Sequence, residues 1–204
     1  FRSHAPLSLV GFWGLLSLNR PDLKDPPFLP HVPSDLVPEK SLMAAVEHRD
    51  RLFYHPYDSF VPLVTFLKQA ANDPQVLAIK ITLYRIDKQS PIIDALMEAR
   101  EKGKAVAAVV ELKARFDEEN NIVWARALEN AGVHVVYGLM DLKVHAKLLL
   151  VVRRKGDSIV RYSHMSSGNY NAQTARIYGD IGYLTADPDI GADVADLFNY
   201  LTGY

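Results

Sequence analysis

A histidine and a lysine, His145 and Lys147, stand two residues apart near the head of LKVHAKLLLVV, residues 142–152. The rest of this stretch is apolar and rich in Leu and Val, the composition of a buried strand. Alternate residues of a strand project to one side, so an imidazole and an ammonium are expected to leave the chain together. A neutral imidazole is a nucleophile toward phosphorus, and a lysine beside it holds phosphate oxygens as a point charge. An isolated H-x-K is common by chance, and both groups could simply reach water at a strand end.

Neighbouring residues narrow the choice. His164 follows 19 residues later, near the end of the next expected strand, and Gly168-Asn169 comes four residues after it. A hairpin centred near residue 155 should bring residues 145 and 164 close across the ladder. Asn169 supplies a side-chain amide, and Gly168 admits a close backbone approach to an anion. Arg85 ends the apolar run VLAIKITLYR, and Arg115 lies in the loop after KAVAAVVELK. Two guanidiniums at the carboxyl ends of neighbouring strands form a permanently charged fork for phosphate. Surface pairing with Asp87, Asp117 or Glu118 is the plainer alternative.

These groups need a scaffold whose strand ends converge. VLAIKITLY (76–84), KAVAAVVELK (104–113), VHVVYG (133–138), the hairpin around Lys155-Gly156-Asp157 and GDIGYLTAD (179–187) read as strands. Helices are expected after Asp58, after the Ser90-Pro91 cap, across EENNIVWARALENAG, and from Asp187 or Asp189 onward. SLMAAVEHRDRLF (41–53) suits one short helix capped by Ser41. Strands alternating with helices, several of them continuous apolar runs, predict an α/β sheet covered on both faces. In such sheets ligands collect beyond the carboxyl ends of the strands. Residues 1–40 are rich in proline and read as an extended connecting segment, leaving 41–204 as the domain proper.

Bulk composition excludes several classes. The 204 residues are 49% hydrophobic and 23% charged, with a formal net charge of -1. That fits one globular domain without a global basic surface for nucleic acid, so anion binding must be local. There is no cysteine, hence no disulfide framework and no thiolate zinc site. No apolar run reaches the roughly 18 residues that span a bilayer. The chain opens on Phe1 and stops just past an apparent helix, so a piece of a larger protein is expected. Of the other histidines, His55 could lie near the site, and His134 reads as a structural residue of an apolar strand.

The H-x-K and G-N pattern resembles one half of a phospholipase D-type active site. The segments NRPDLKDPPFLPHVP, HPYDSF, ITLYR, ELKARFDEEN, AGVHVVYG, LKVHAKL, SSGNYNAQTARIYGD and LTADPDIGADVADLFNYLTGY follow one another as in bacterial polyphosphate kinase of the first type. The resemblance implies a phospholipase D-like mixed sheet with helices on both faces, one of two such halves in a longer enzyme. It implies transfer of the ATP γ-phosphate to inorganic polyphosphate through a phosphohistidine, reversibly, releasing ADP. By matching position His145 is the phosphorylated histidine. His164 is a second essential histidine, a proton donor or phosphate orienter. Lys147, Asn169 and Tyr178 contact phosphate or nucleotide. Arg85 and Arg115 belong to a magnesium-phosphate site. An arginine has no lone pair for Mg²⁺, so both are expected to act through phosphate oxygens.

Two departures stand out: Met-Ser-Ser-Gly-Asn replaces a Gly-Thr-Gly-Asn type of turn, and Asp141 replaces a usual glycine. The resemblance further implies a homo-oligomeric parent, free in the cytoplasm or peripheral to the inner membrane. A phospholipase D-like phosphodiesterase or nuclease half, and a noncatalytic polyanion-binding module, remain open at this point.

Overall fold

The computed structural model describes residues 8–37, 40–87, 89–113, 118–138 and 142–203. Seven strands form one mixed sheet in the order β1-β7-β6-β5-β2-β3-β4. They are β1 (Arg51–His55), β2 (Val76–Leu83), β3 (Ala105–Val110), β4 (His134–Val136), β5 (Lys147–Lys155), β6 (Ser158–Ser166) and β7 (Asp180–Thr185). The helices are α1 (Trp13–Leu16), α2 (Leu42–His48), α3 (Val61–Asn72), α4 (Pro91–Glu101), α5 (Glu118–Asn130) and α6 (Pro188–Thr202). Strands β2, β3 and β4 run parallel, whereas β5 lies antiparallel to β2 and continues through the antiparallel series β6, β7, β1.

Alternation within the strands builds two cores. Ile79, Ile81 and Leu83 of β2, with Leu149 and Val151 of β5, join the large core under α2, α3, α4 and α5. Leu148 and Leu150, one residue out of phase, join Val109, Val144, Val194, Phe198 and Leu201 beneath α6. Strand β5 is therefore apolar on both faces because both faces are covered. Local signals agree with the ends. Ser41 and Ser90 accept the N–H groups of Ala44 and Ile93, and Asp187 those of Asp189 and Ile190. Gly103, Gly132 and Gly203 end their helices at positive φ.

Three expectations are corrected. The segment 41–53 is not one helix: α2 stops at His48 and β1 follows, pairing with β7 as an edge strand. Arg51 is buried there because it pairs with Asp35 at 2.7 Å and donates to Ala45 O, so its charge is met. Asp58 does not cap α3; its carboxylate accepts the N–H of Tyr54 instead. His134 is exposed rather than structural. The proline-rich segment is mostly exposed with short helical turns, and His31 ties it down through backbone bonds to Tyr57 and Ser59.

The second core is small, so α6 depends on few side chains. Phe198 is its fully buried aromatic. Phe198→Ala should destabilise the fold by about 3–5 kcal/mol, read as a lower urea midpoint. An unchanged midpoint would show that α6 is not held by this core.

Candidate active site

Strand β5 begins at the same sheet edge where β2 and β3 end, because it runs against them. The ladder with β6 starts at Lys147, so His145 lies in the extended lead-in just outside it. That lead-in is held by side chains. Thr82, a polar residue inside the apolar run of β2, donates to Ala146 O at 2.6 Å and accepts from Leu148 N at 2.9 Å. Its hydroxyl stands in for ladder bonds at the strand's first residues.

His145 and Lys147 do project together. Lys147 Nζ lies 3.1 Å from His145 Nδ1 and 2.6 Å from His145 O. His145 is exposed, whereas Lys147 is 5% exposed. Tyr84, which sequence reasoning did not single out, packs edge-on against the imidazole at 4.9 Å. It also offers its ring face to Lys147 Nζ at 5.2 Å, a cation–π arrangement. Burial lowers the pKa of His145 from its ordinary value, and the charges of Lys147, Arg85 and Lys143 lower it further. The pKa of Lys147 is also lowered, by burial first and then by Arg85, against an opposing pull from Asp180. Arg85, just beyond β2, therefore belongs electrostatically to the same cluster. Burial and the neighbouring cations thus both favour the uncharged form of the ring.

His164 sits elsewhere. In the hairpin it pairs with Leu149, not with His145. That is four residues deeper, or about 13 Å along the strand. Continued, the same register sets Gly168 opposite His145. The hairpin is therefore centred between Gly156 and Asp157, not at residue 155: Lys155 pairs with Ser158. His164 is 2% exposed, and burial with the nearby His55 lowers its pKa to about 3. Nδ1 is 3.0 Å from the Tyr170 hydroxyl, while Nε2 is shielded from solvent without a hydrogen bond. Gly182 makes room for this ring, since a Cβ there would come within 2.9 Å of Nε2. The expected proton donor is thus neutral and enclosed beneath the site. His55, also buried, gives its Nδ1–H to Asp58 O at 2.8 Å.

The Gly-Asn turn is built around Asp180. Ser167 Oγ donates to Asp180 Oδ1 at 2.7 Å, and Ser166 Oγ accepts the N–H of Gly168 at 3.0 Å. A Cβ on Gly168 would strike Asp180 Oδ2 at 2.6 Å. The glycine therefore admits a carboxylate rather than opening space for an anion. Asn169 Oδ1 is buried without a partner. Below the turn, buried Asp87 accepts the N–H of Ala172 at 2.9 Å, and burial raises its pKa. Tyr178 is 56% exposed, past the 3-10 turn Thr174–Arg176, with its ring available from outside. Arg115 and Asp141 lie outside the described residues.

Among the described residues no group of three or more His, Asp or Glu side chains is placed to hold a metal ion. The donors around His145 are cationic, which does not fit a protein-ligated Mg²⁺. The site can receive a polyanion and present it to an imidazole.

Fold and site together define an α/β domain whose mixed sheet carries a histidine beside a cationic cluster at one edge. Its sheet resembles that of the phospholipase D family member Nuc from Salmonella typhimurium, at TM-score 0.57 and 16% identity over 75% of this chain and 93% of that one, a likeness of fold alone. The family described as polyphosphate kinase C-terminal domain 1 matches residues 41–204, and the chain belongs to that family. It is 59% identical to a polyphosphate kinase of Mycolicibacterium gilvum and 57% identical to one of Prosthecochloris aestuarii, over 97% of this chain in each case. It spans 28% of the length of each of these relatives. The polyphosphate kinase structure from Porphyromonas gingivalis superposes at TM-score 0.83 with 38% identity, over 100% of this chain and 34% of that one.

The buried His164 sets a pH dependence. The unfolded chain takes up a proton near pH 6.5, which the folded state refuses until about pH 3. Stability contributed by the neutral ring is therefore lost as pH falls from 6.5 toward 3, at about 1.4 kcal/mol per pH unit. His164→Gln should flatten that slope in urea unfolding measured between pH 6.5 and 4. An identical slope in both proteins would mean that His164 is already charged when folded.

Proposed function

We propose that this chain is the nucleophile-bearing catalytic domain of a polyphosphate kinase, with residues 1–40 as connecting segment and 41–204 as the domain. The observation that carries the reading is the contact of Lys147 with His145 at the carboxyl end of the sheet, inside the segment the family match covers. In this reading a ring nitrogen of neutral His145 attacks the γ-phosphorus of ATP in line. The N–P bond forms as the bond to the β,γ-bridging oxygen breaks, and ADP leaves with the electron pair. A terminal oxygen of polyphosphate then displaces the histidine, lengthening the polymer by one unit. The reverse path makes ATP.

The cations serve the transferring group, because phosphoryl transfer is governed by positioning and charge stabilisation. Lys147 donates to Nδ1 before substrate arrives. A phosphate oxygen would take over that donor and release the ring lone pair. Arg85 and Arg115 hold further oxygens, Asn169 adds an amide, and exposed Tyr178 receives the nucleotide. Mg²⁺ would supply further charge neutralisation to the ATP phosphates that Arg85 and Arg115 hold. His164 acts as a neutral group beneath the site. The opposing half comes from the remainder of a longer, oligomeric, cytoplasmic polypeptide.

A phospholipase D-like phosphodiesterase would share the histidine chemistry, but its support is likeness of fold alone. Incubation of the full-length parent with γ-labelled ATP and Mg²⁺ should give acid-labile, base-stable label at His145, absent in His145→Ala. Residues 1–204 alone should make no polymer. Persistent label in His145→Ala would place the nucleophile elsewhere.

The lowered pKa of His145 gives a second test. The acid limb of the phosphorylation rate should fall below pH 6.5, since protonation removes the nucleophile. Lys147→Met removes one of the charges responsible and should move that limb upward while lowering the rate. A limb that stays in place would remove Lys147 as a cause.

A further inference from the structure

Residues 143–146 carry the nucleophile without strand pairing, yet a buried backbone N–H needs an acceptor. For Val144, the residue before His145, that acceptor is the side chain of Glu111, with Oε2 at 2.9 Å. Glu111 is the first residue beyond β3 and is 3% exposed. Its other oxygen, Oε1, accepts the N–H of Lys113 at 2.8 Å. Among the described residues it makes no ion pair, so its charge is met by backbone dipoles, bonds strengthened by that charge.

The backbone that carries this carboxylate is itself held. Glu111 N donates to Leu83 O at 2.9 Å, and Asn121 of α5 donates one amide to both Glu111 O and Tyr84 O. Lys143 Nζ returns to Lys113 O at 3.1 Å, tying the lead-in to the loop after β3 a second time. At Gly138, where the chain leaves β4 with positive φ, a Cβ would lie 3.6 Å from Oε2. The lead-in thus lies over one buried carboxylate.

We propose that Glu111 is the positioning residue of the phosphoryl-accepting histidine. It holds Val144 N on one side of His145, and Thr82 holds Ala146 O on the other. The imidazole is then suspended between two pinned peptide groups, with Tyr84 bounding its ring. An error of about 1 Å in a reacting group costs on the order of 100-fold in rate. The inference rests on His145 being the nucleophile.

The test uses the full-length parent protein and two variants. Glu111→Gln keeps shape and one acceptor but turns an NH₂ toward the second N–H. Replacing Val144 by its α-hydroxy acid turns that amide into an ester and deletes only the donor. Each should lower the rate of His145 phosphorylation at least tenfold, with KM for ATP within threefold. Hydrogen exchange should rise in residues 142–146 and not in the remaining strands. A rate within twofold of the unaltered protein in either folded variant overturns the proposal, as does unchanged exchange in 142–146. If the unaltered protein carries no label at His145, the kinase reading falls. In that case a rise in exchange confined to 142–146 still upholds the bond's part in holding the segment.

Discussion

The antiparallel insertion of β5 beside β2 is the constraint from which the rest of the site follows. Its two apolar faces can be buried only at the centre of the sheet, between the large core and α6. Lying there against β2, it must begin where β2 and β3 finish. The polar head of a core strand is thereby delivered to the edge where the loops bearing Arg85 and Glu111 emerge. Any other direction for β5 would carry His145 to the opposite edge, away from both.

Burial then sets the electrostatics. Lys147 keeps its ammonium in a nearly enclosed position with a carbonyl, an imidazole and the Tyr84 ring as partners. Desolvation still lowers its pKa, Asp180 opposes that pull, and Arg85 adds repulsion. The cluster consequently remains cationic. Carboxylates near it are turned to other work: Asp180 receives Ser167, and Glu111 receives two backbone N–H groups. These carboxylates thus help to hold the frame of the site.

Much of this was legible beforehand. Six of the seven strands and the caps at Ser41, Ser90 and Asp187 follow from period and turn chemistry, because those signals are local. Strand β1 was missed because Arg51, Leu52 and Phe53 continue a helical pattern, and its pairing with β7 joins residues 130 or so apart. The pairing of His145 with Lys147 needed only the two-residue repeat of an extended chain. The depth of His164 needed the register of β5 and β6, which is set by a turn centred between Gly156 and Asp157 and not at residue 155. Thr82, Tyr84 and Glu111 carried no spacing signal, since each acts on residues far along the chain.

The sequence by itself determined six of the seven strands and the pairing of His145 with Lys147, because strand and i, i+2 geometry depend on near neighbours. Tertiary structure alone decided which groups meet that pair. A buried carboxylate just beyond β3 and a hydroxyl on β2 reach the residues on either side of the histidine, and a phenol ring beyond β2 reaches its imidazole, only once β5 is packed between two cores. It also decided that one histidine stays at the surface while the other is enclosed and neutral, a matter of burial that residue type does not encode.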